Sequence, residues 1–285
     1  MFLRHSKYSI PLLLTVLLFG CSPENKKEKT LSGYDLDTPE KFFMPESIFE
    51  ISGIAFNKGN ADTVYAIQDE EGKLFKLGLG VKKQLHTKFG KKGDYEDLAI
   101  VNGQVVILKS SGAMVFFPLA ATDQEEIDSV TEWKHVLPKG EFESLYGEET
   151  TGNLYILCKN CPSDQAKESL SGYILNLDDS TKQSTDFRID VKQIKEKAGK
   201  MKTGFKPSGL AQNPITKEWF IISAINKLIV VTDSNWKVKE TAQLEGGKFN
   251  QPEGIAFDNA GNLYISNEGS DVSEGNILKF KRLVK

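Results

Sequence analysis

The pattern that most limits what this chain can fold into returns about every 45 residues. EISGIAFNKGNADTVYAIQDEEGKLFKL from Glu50, YEDLAIVNGQVVILKSSGAMVFFPL from Tyr95, FESLYGEETTGNLYILCKN from Phe142, KPSGLAQNPITKEWFIISAINKLIVVTD from Lys206 and QPEGIAFDNAGNLYISNEG from Gln251 share one layout. A short apolar strand is followed by a turn rich in Gly, Asn and Asp, then by a strongly β-forming second strand and a third (KLFKL, MVFFPL, GYILNL, KLIVVTD, NILKFK). Aligning the first strands puts Ser52, Glu96, Glu143, Ser208 and Glu253 in one column and Gly53, Asp97, Ser144, Gly209 and Gly254 in the next, at spacings of 44, 47, 65 and 45 residues. A more polar fourth strand follows in most repeats, as in KKQLHTKF, EWKHVL and KVKETAQL.

Four antiparallel strands in each such period are the signature of a β-propeller blade. The second strands are nearly continuous apolar runs, as expected of strands covered on both faces by neighbouring sheets. The expected fold is therefore all-β, a five-bladed propeller over residues 34–285, with six blades as the alternative if the long 143-to-208 interval holds another repeat. That interval instead offers a fourth strand near STDFRID and a helical insertion near 190–202, with Val191, Ile194 and Met201 close to helical spacing. The last repeat shows only three strands, so one within YDLDTPEKFFMPE is expected to complete it and close the ring, leaving no bare sheet edge.

Residues 1–20 carry Arg4 and Lys7, an apolar run over residues 10–19 and then Gly20 before Cys21. The run falls short of the roughly 20 apolar residues needed to span a bilayer and suits a secretory signal. With Leu18 three positions before the cysteine it resembles the lipobox of bacterial lipoproteins, in which the cysteine is lipidated, and Phe19 is bulkier than the usual residue there. Lipidation at Cys21, a flexible tether over residues 21–33 and an outer-membrane location are the expectations. Loss of Arg4 and Lys7 with the signal would move the net charge from −3 to near −5, which excludes nucleic acid as a natural partner. A monomer is expected.

In a propeller the innermost strands line a central channel, so the column of Ser52, Glu96, Glu143, Ser208 and Glu253 should gather at one mouth. Three carboxylates brought together must raise a pKa, hydrate or bind a cation. Asp69, Glu70, Asn267 and Glu268 end second strands, and Asp97 and Ser144 follow column members, so they should form a second layer on the same face. The candidate metal ligands are Glu96, Glu143, Glu253, Asp69, Glu268, Asn267 and Asp97. An oxygen-only set favours calcium or magnesium over zinc or copper. The alternative is that these acids bond backbone N–H groups of neighbouring blades.

The segments ISGIAF, YEDLA, FESL, KPSGLA and PEGIAF with SNEG resemble the SdiA-regulated (YjiK-like) family of bacterial envelope propellers over residues 45–282. That likeness implies architecture more than activity. A more distant likeness runs to gluconolactonase and regucalcin propellers. It implies one divalent cation in the channel, with Glu253 in the place of their Asn and Asn267 or Glu268 near their Asp. Those enzymes use one strand-starting glutamate and six blades, where this chain has three such glutamates and five blades.

Cys158 and Cys161 in CKNCP read as a local disulfide or, less readily, a redox pair; zinc would need a second pair and haem a following His, where Pro162 stands. The three histidines, His5, His86 and His135, fall in the signal or on outer strands, which leaves a Ser-His-Asp hydrolase without a base. Three functional readings follow. The first is a lipid-anchored envelope binding module for a protein, glycan or small molecule, with calcium at the channel mouth. The second is a metal-dependent hydrolase of a lactone or phosphoester, using Glu96, Glu143 or Glu253 as base. The third is an interaction propeller without metal.

Overall fold

A computed structural model describes residue 1 and residues 30–283, apart from residues 32, 82, 165–167, 200, 202, 245–246 and 271–272. The signal, Cys21 and the tether before residue 30 lie outside the described residues. Five four-stranded antiparallel sheets stand around a central axis, so the five-bladed expectation holds. Blade 1 is Ile51–Asn57, Asn60–Gln68, Lys73–Leu77 and Leu85–Lys88; blade 2 is Tyr95–Val101, Gln104–Lys109, Met114–Pro118 and Thr131–Trp133. Blade 3 is Glu141–Glu148, Asn153–Asn160, Ser169–Asn176 and Thr185–Asp190; blade 4 is Gly209–Gln212, Trp219–Ser223, Leu228–Thr232 and Val238–Gln243. Blade 5 joins Pro252–Phe257, Leu263–Asn267 and Asn276–Phe280 to Glu40–Phe43 from the other end of the chain. The closing strand was expected in that stretch, and it pairs antiparallel with Phe43 opposite Asn276 and Glu40 opposite Lys279.

The apolar residues sort into five clusters, one for each junction between neighbouring blades. Alternation on the inner strands explains this. Ile54, Leu98, Leu145, Leu210 and Ile255, two places after the column, each enter a different cluster, and all are nearly or fully buried. Tyr95 and Phe142, just before the column, are core residues too. Leu31 and Tyr34, from the two-stranded ribbon Thr30–Leu31 with Tyr34–Asp35, are buried between blades 4 and 5. Tyr34 also donates to Gly261 O at 2.6 Å and accepts from Asn213 at 2.8 Å.

The helix α1, Val191–Ala198, starts where the sequence indicates. Asp190 caps it by accepting from Lys192 N at 2.8 Å. It ends short of residue 202, because Gly199 adopts φ 84° and turns the chain out of the helix. Val191 and Ile194 anchor it in the core between blades 3 and 4, and Met201 packs against the same core from beyond the helix end.

Candidate functional site

The column residues owe their placement to bulges. The pairing of the first two strands slips between Ile51 and Ile54, between Tyr95 and Asp97, around Phe142 and Ser144, and between Pro252 and Ile255. In four blades, therefore, the column residue sits where an unpaired residue bends the inner strand, a device that re-aims a side chain. Glu96, Glu143 and Glu253 turn in this way toward one end of the channel, the upper mouth.

There they meet a residue that the sequence reading passed over. Lys159, at the end of the second strand of blade 3, donates its ammonium to Glu143, and its charge also steadies Glu96 and Glu253 as carboxylates. The mouth thus contains its own cation. Burial, with the Asp94 carboxylate next, still pushes Glu96 up to about 7. Burial first and Glu268 second push Glu253 up to about 7. Glu268 is likewise pushed up to about 7 by burial, Asp69 and Glu50. The Gln251 amide donates to Glu268 and also favours ionised Glu253.

Apart from Glu143, which Lys159 pairs, these acids lie on blades 5, 1 and 2, and blades 3 and 4 contribute lysines. Lys206 donates to Lys159 O at 3.0 Å and Asn160 Oδ1 at 2.9 Å. Lys227 donates to Phe249 O at 3.3 Å and to Asn250 O. These bonds hold both ammoniums beside a cavity of about 260 Å3 whose walls include Glu143, Lys159, Ser208 and Glu253. A signal for Lys206 was present in the alignment: two places before the column stand Glu50, Asp94, Glu141, Lys206 and Gln251, so blade 4 reverses the charge three other repeats carry. Lys159 ends its second strand as Glu268 does in blade 5, but its place between two cysteines drew attention to them instead.

The predicted second layer divides. Asp69 comes close enough to help raise Glu268, and Asp69 is itself raised above its ordinary value, mainly by burial. Asp69 Oδ1 and Asn267 Oδ1 are buried without a hydrogen-bond partner among the described residues, while Asn267 Nδ2 donates to Asn276 at 3.1 Å. Asp97 has a different task. Fully buried, it accepts from its neighbour Leu98 N at 2.8 Å and from Leu145 N of blade 3 at 2.7 Å, tying two inner strands together. Among the described residues, the group of three potential metal ligands with atoms within 4.8 Å of one another is Cys158, Cys161 and Asp164, and its two cysteines are joined as a disulfide.

Immediately below the column the channel narrows. A Cβ on Gly53 would lie 2.4 Å from Asp97 Oδ1, one on Gly209 2.7 Å from Glu253 O, and one on Gly254 2.5 Å from Ser52 O. Only glycine admits so close an approach of neighbouring inner strands. Ser208 Oγ donates across the same level to Pro252 O at 2.6 Å, and Ser266 Oγ to Ser52 O at 2.7 Å.

Fold and mouth together define a five-bladed propeller with a polarised, partly buried polar site at one end of its channel. Residues 27–271 match the family model described as SdiA-regulated, and the chain belongs to that family. Among curated proteins none matches the sequence. Solved structures share the propeller architecture at low identity. The glutaminyl cyclase of Myxococcus xanthus aligns with TM-score 0.55 and 12% identity over 86% of this chain and 96% of its own. A luciferin-regenerating enzyme gives 0.53 and 11% over 86% and 96%, and the calcium-binding protein regucalcin from Agrobacterium tumefaciens 0.50 and 13% over 89% and 96%.

Proposed function

We propose that this protein is a lipid-anchored, monomeric binding module of the cell envelope whose upper mouth takes a small ligand carrying both an ammonium and an acid group. The observation that carries this reading is the split of charge across one cavity. Glu253 of blade 5 and Glu143 of blade 3 share its walls with Lys159, Lys206 and Lys227 from blades 3 and 4, and Glu96 and Glu268 stand close enough to raise Glu253 further. Each half is restrained by hydrogen bonds before any ligand arrives, so little ordering remains to be done on binding. A dipeptide with free ends is the simplest probe of that chemistry. Thermal melting with glycylglycine should raise the midpoint by mass action, whereas N-acetylglycylglycine and glycylglycinamide, each lacking one charge, should not. Equal shifts with all three, or none with any, would reject the reading.

A divalent cation, calcium first, is a second reading. What supports it is the pair of unpartnered oxygens, Asp69 Oδ1 and Asn267 Oδ1, beside the crowded Glu268. It would place the ion toward the blade 5 and blade 1 side, away from the Lys159 ammonium. Calcium should then raise the melting midpoint of the wild type and leave Glu268→Gln and Asp69→Asn unmoved; no response of the wild type to calcium, magnesium or manganese would remove this reading. Hydrolysis of a lactone or phosphoester would draw its base from Glu96 or Glu253, whose values near 7 suit proton transfer, since Glu143 is held by Lys159.

A further inference from the structure

The channel has a second compartment, below the glycine neck. Three places after the column, four blades carry alanine (Ala55, Ala99, Ala211 and Ala256) and blade 3 carries Tyr146. These residues line a cavity of about 410 Å3 that shares no lining residue with the polar cavity above. Apolar inner-strand residues of all five blades form the deeper part of its wall, and polar and charged residues of the turns between first and second strands form the face on which it opens. Small side chains at one level of a ring leave space that larger ones would fill, so the alanines create the chamber. Tyr146 breaks the ring and packs edge-on against Trp219 at 5.2 Å.

The charges around the opening are unequal in how they are used. Glu149 accepts from Asn102 N at 2.9 Å and pairs with Lys58 at 3.4 Å. Glu148 accepts from Thr151 at 2.6 Å and Tyr155 at 3.3 Å, and Asp258 accepts four hydrogen bonds from Ala260, Asn262 and Tyr264. Lys217 alone of these has an ammonium with no partner among the described residues. Ligand cavities of this kind run from roughly 300 to 1,000 Å3 and combine an apolar lining with a few polar groups that fix orientation.

We propose that the lower chamber binds a small apolar molecule ending in an anionic group, its body against the alanine ring and Tyr146 and its acid toward Lys217. The site is independent of the mouth and stands whether or not the mouth takes the ligand argued above. Two fluorescent probes with the same rings test it: 1-anilinonaphthalene-8-sulfonate, which is anionic, and N-phenyl-1-naphthylamine, which is neutral. Both should bind the full-length mature protein saturably with one site. Ala211→Phe and Ala55→Leu, on different blades, should abolish saturable binding of both probes while the melting midpoint shows the protein folded. Lys217→Gln should weaken the anionic probe roughly three- to fivefold, the scale of an exposed ion pair, and leave the neutral probe unchanged. If neither filling variant folds, Tyr146→Ala, which only removes atoms, must change the affinity of both probes. Unchanged binding in folded filling variants, an unchanged affinity in Tyr146→Ala, equal effects of Lys217→Gln on both probes, or loss of probe binding on Lys159→Gln at the mouth would each overturn the proposal.

Discussion

At the scale of single residues the upper mouth sets several reluctant carboxylates against Lys159, the lysine of the three there that bonds a glutamate. Glu96, Glu253 and Glu268 are raised from 4.5 to about 7, so between those values the folded protein holds protons that the unfolded chain has released. Stability therefore falls as pH rises through this window and stays lower above it. Melting scans from pH 5 to pH 8 should show the midpoint dropping; a flat profile would mean that the carboxylates ionise freely in the fold. Lys159→Gln removes the compensating charge and is expected to cost about 1–3 kcal/mol at pH 8. The loss should shrink at pH 5, where protonated glutamates need no cation, and urea denaturation at both values measures the difference. Asp97 makes a separate case, since its two oxygens satisfy backbone N–H groups on two blades. Asp97→Ala should destabilise by about 2–4 kcal/mol by leaving both donors buried and unpaired. Urea titration would detect it, and a loss below about 1 kcal/mol would argue that water replaces the carboxylate.

At the scale of elements, the strands were legible because each repeat confirms the others. The same turn and the same apolar runs recur in KLIVVTD and NILKFK, and the missing fourth strand of the last repeat could be sought at the other end of the chain. The helix start was legible from Asp190 and the Val191 and Ile194 spacing; its end was not, because Met201 continues the apolar pattern after Gly199 has already broken the backbone geometry. The mouth was legible only in its acids. Lys159, Lys206 and Lys227 reach it from a second strand, from the run into an inner strand and from a turn, so their meeting depends on blade order. Asp97 was grouped with the mouth because it adjoins Glu96 in sequence, yet the bulge at Tyr95 and Asp97 lets two consecutive acids take different tasks. The alanine column was visible in GIAF, DLAI, GLAQ and GIAF, but periodicity alone reports only that these positions face inward.

At the scale of the whole molecule, the question is where the propeller resides. None of the helices among the described residues is long and apolar enough to cross a membrane. The anchor reading rests on the sequence around Cys21, outside the described residues. Cys21→Ala should abolish incorporation of a clickable palmitate analogue and move the protein from the membrane pellet to the supernatant after lysis; pelleting without labelling would point to another means of attachment. The strand Glu40–Phe43 that completes blade 5 has a further consequence for how the chain is made. Its partner, Asn276–Phe280, follows every strand of blades 1 to 4 in the sequence and so leaves the ribosome after all of them. Blades 1 to 4 draw all their strands from consecutive stretches and can pair as they emerge. Glu40–Phe43 has to wait, unpaired, until the strands of the other four blades have been made, and the penalty of bringing such distant segments together is met only when Asn276–Phe280 arrives. Until then the nascent protein is an open arc with two raw β-edges, and that interval is when it most needs protection from its neighbours.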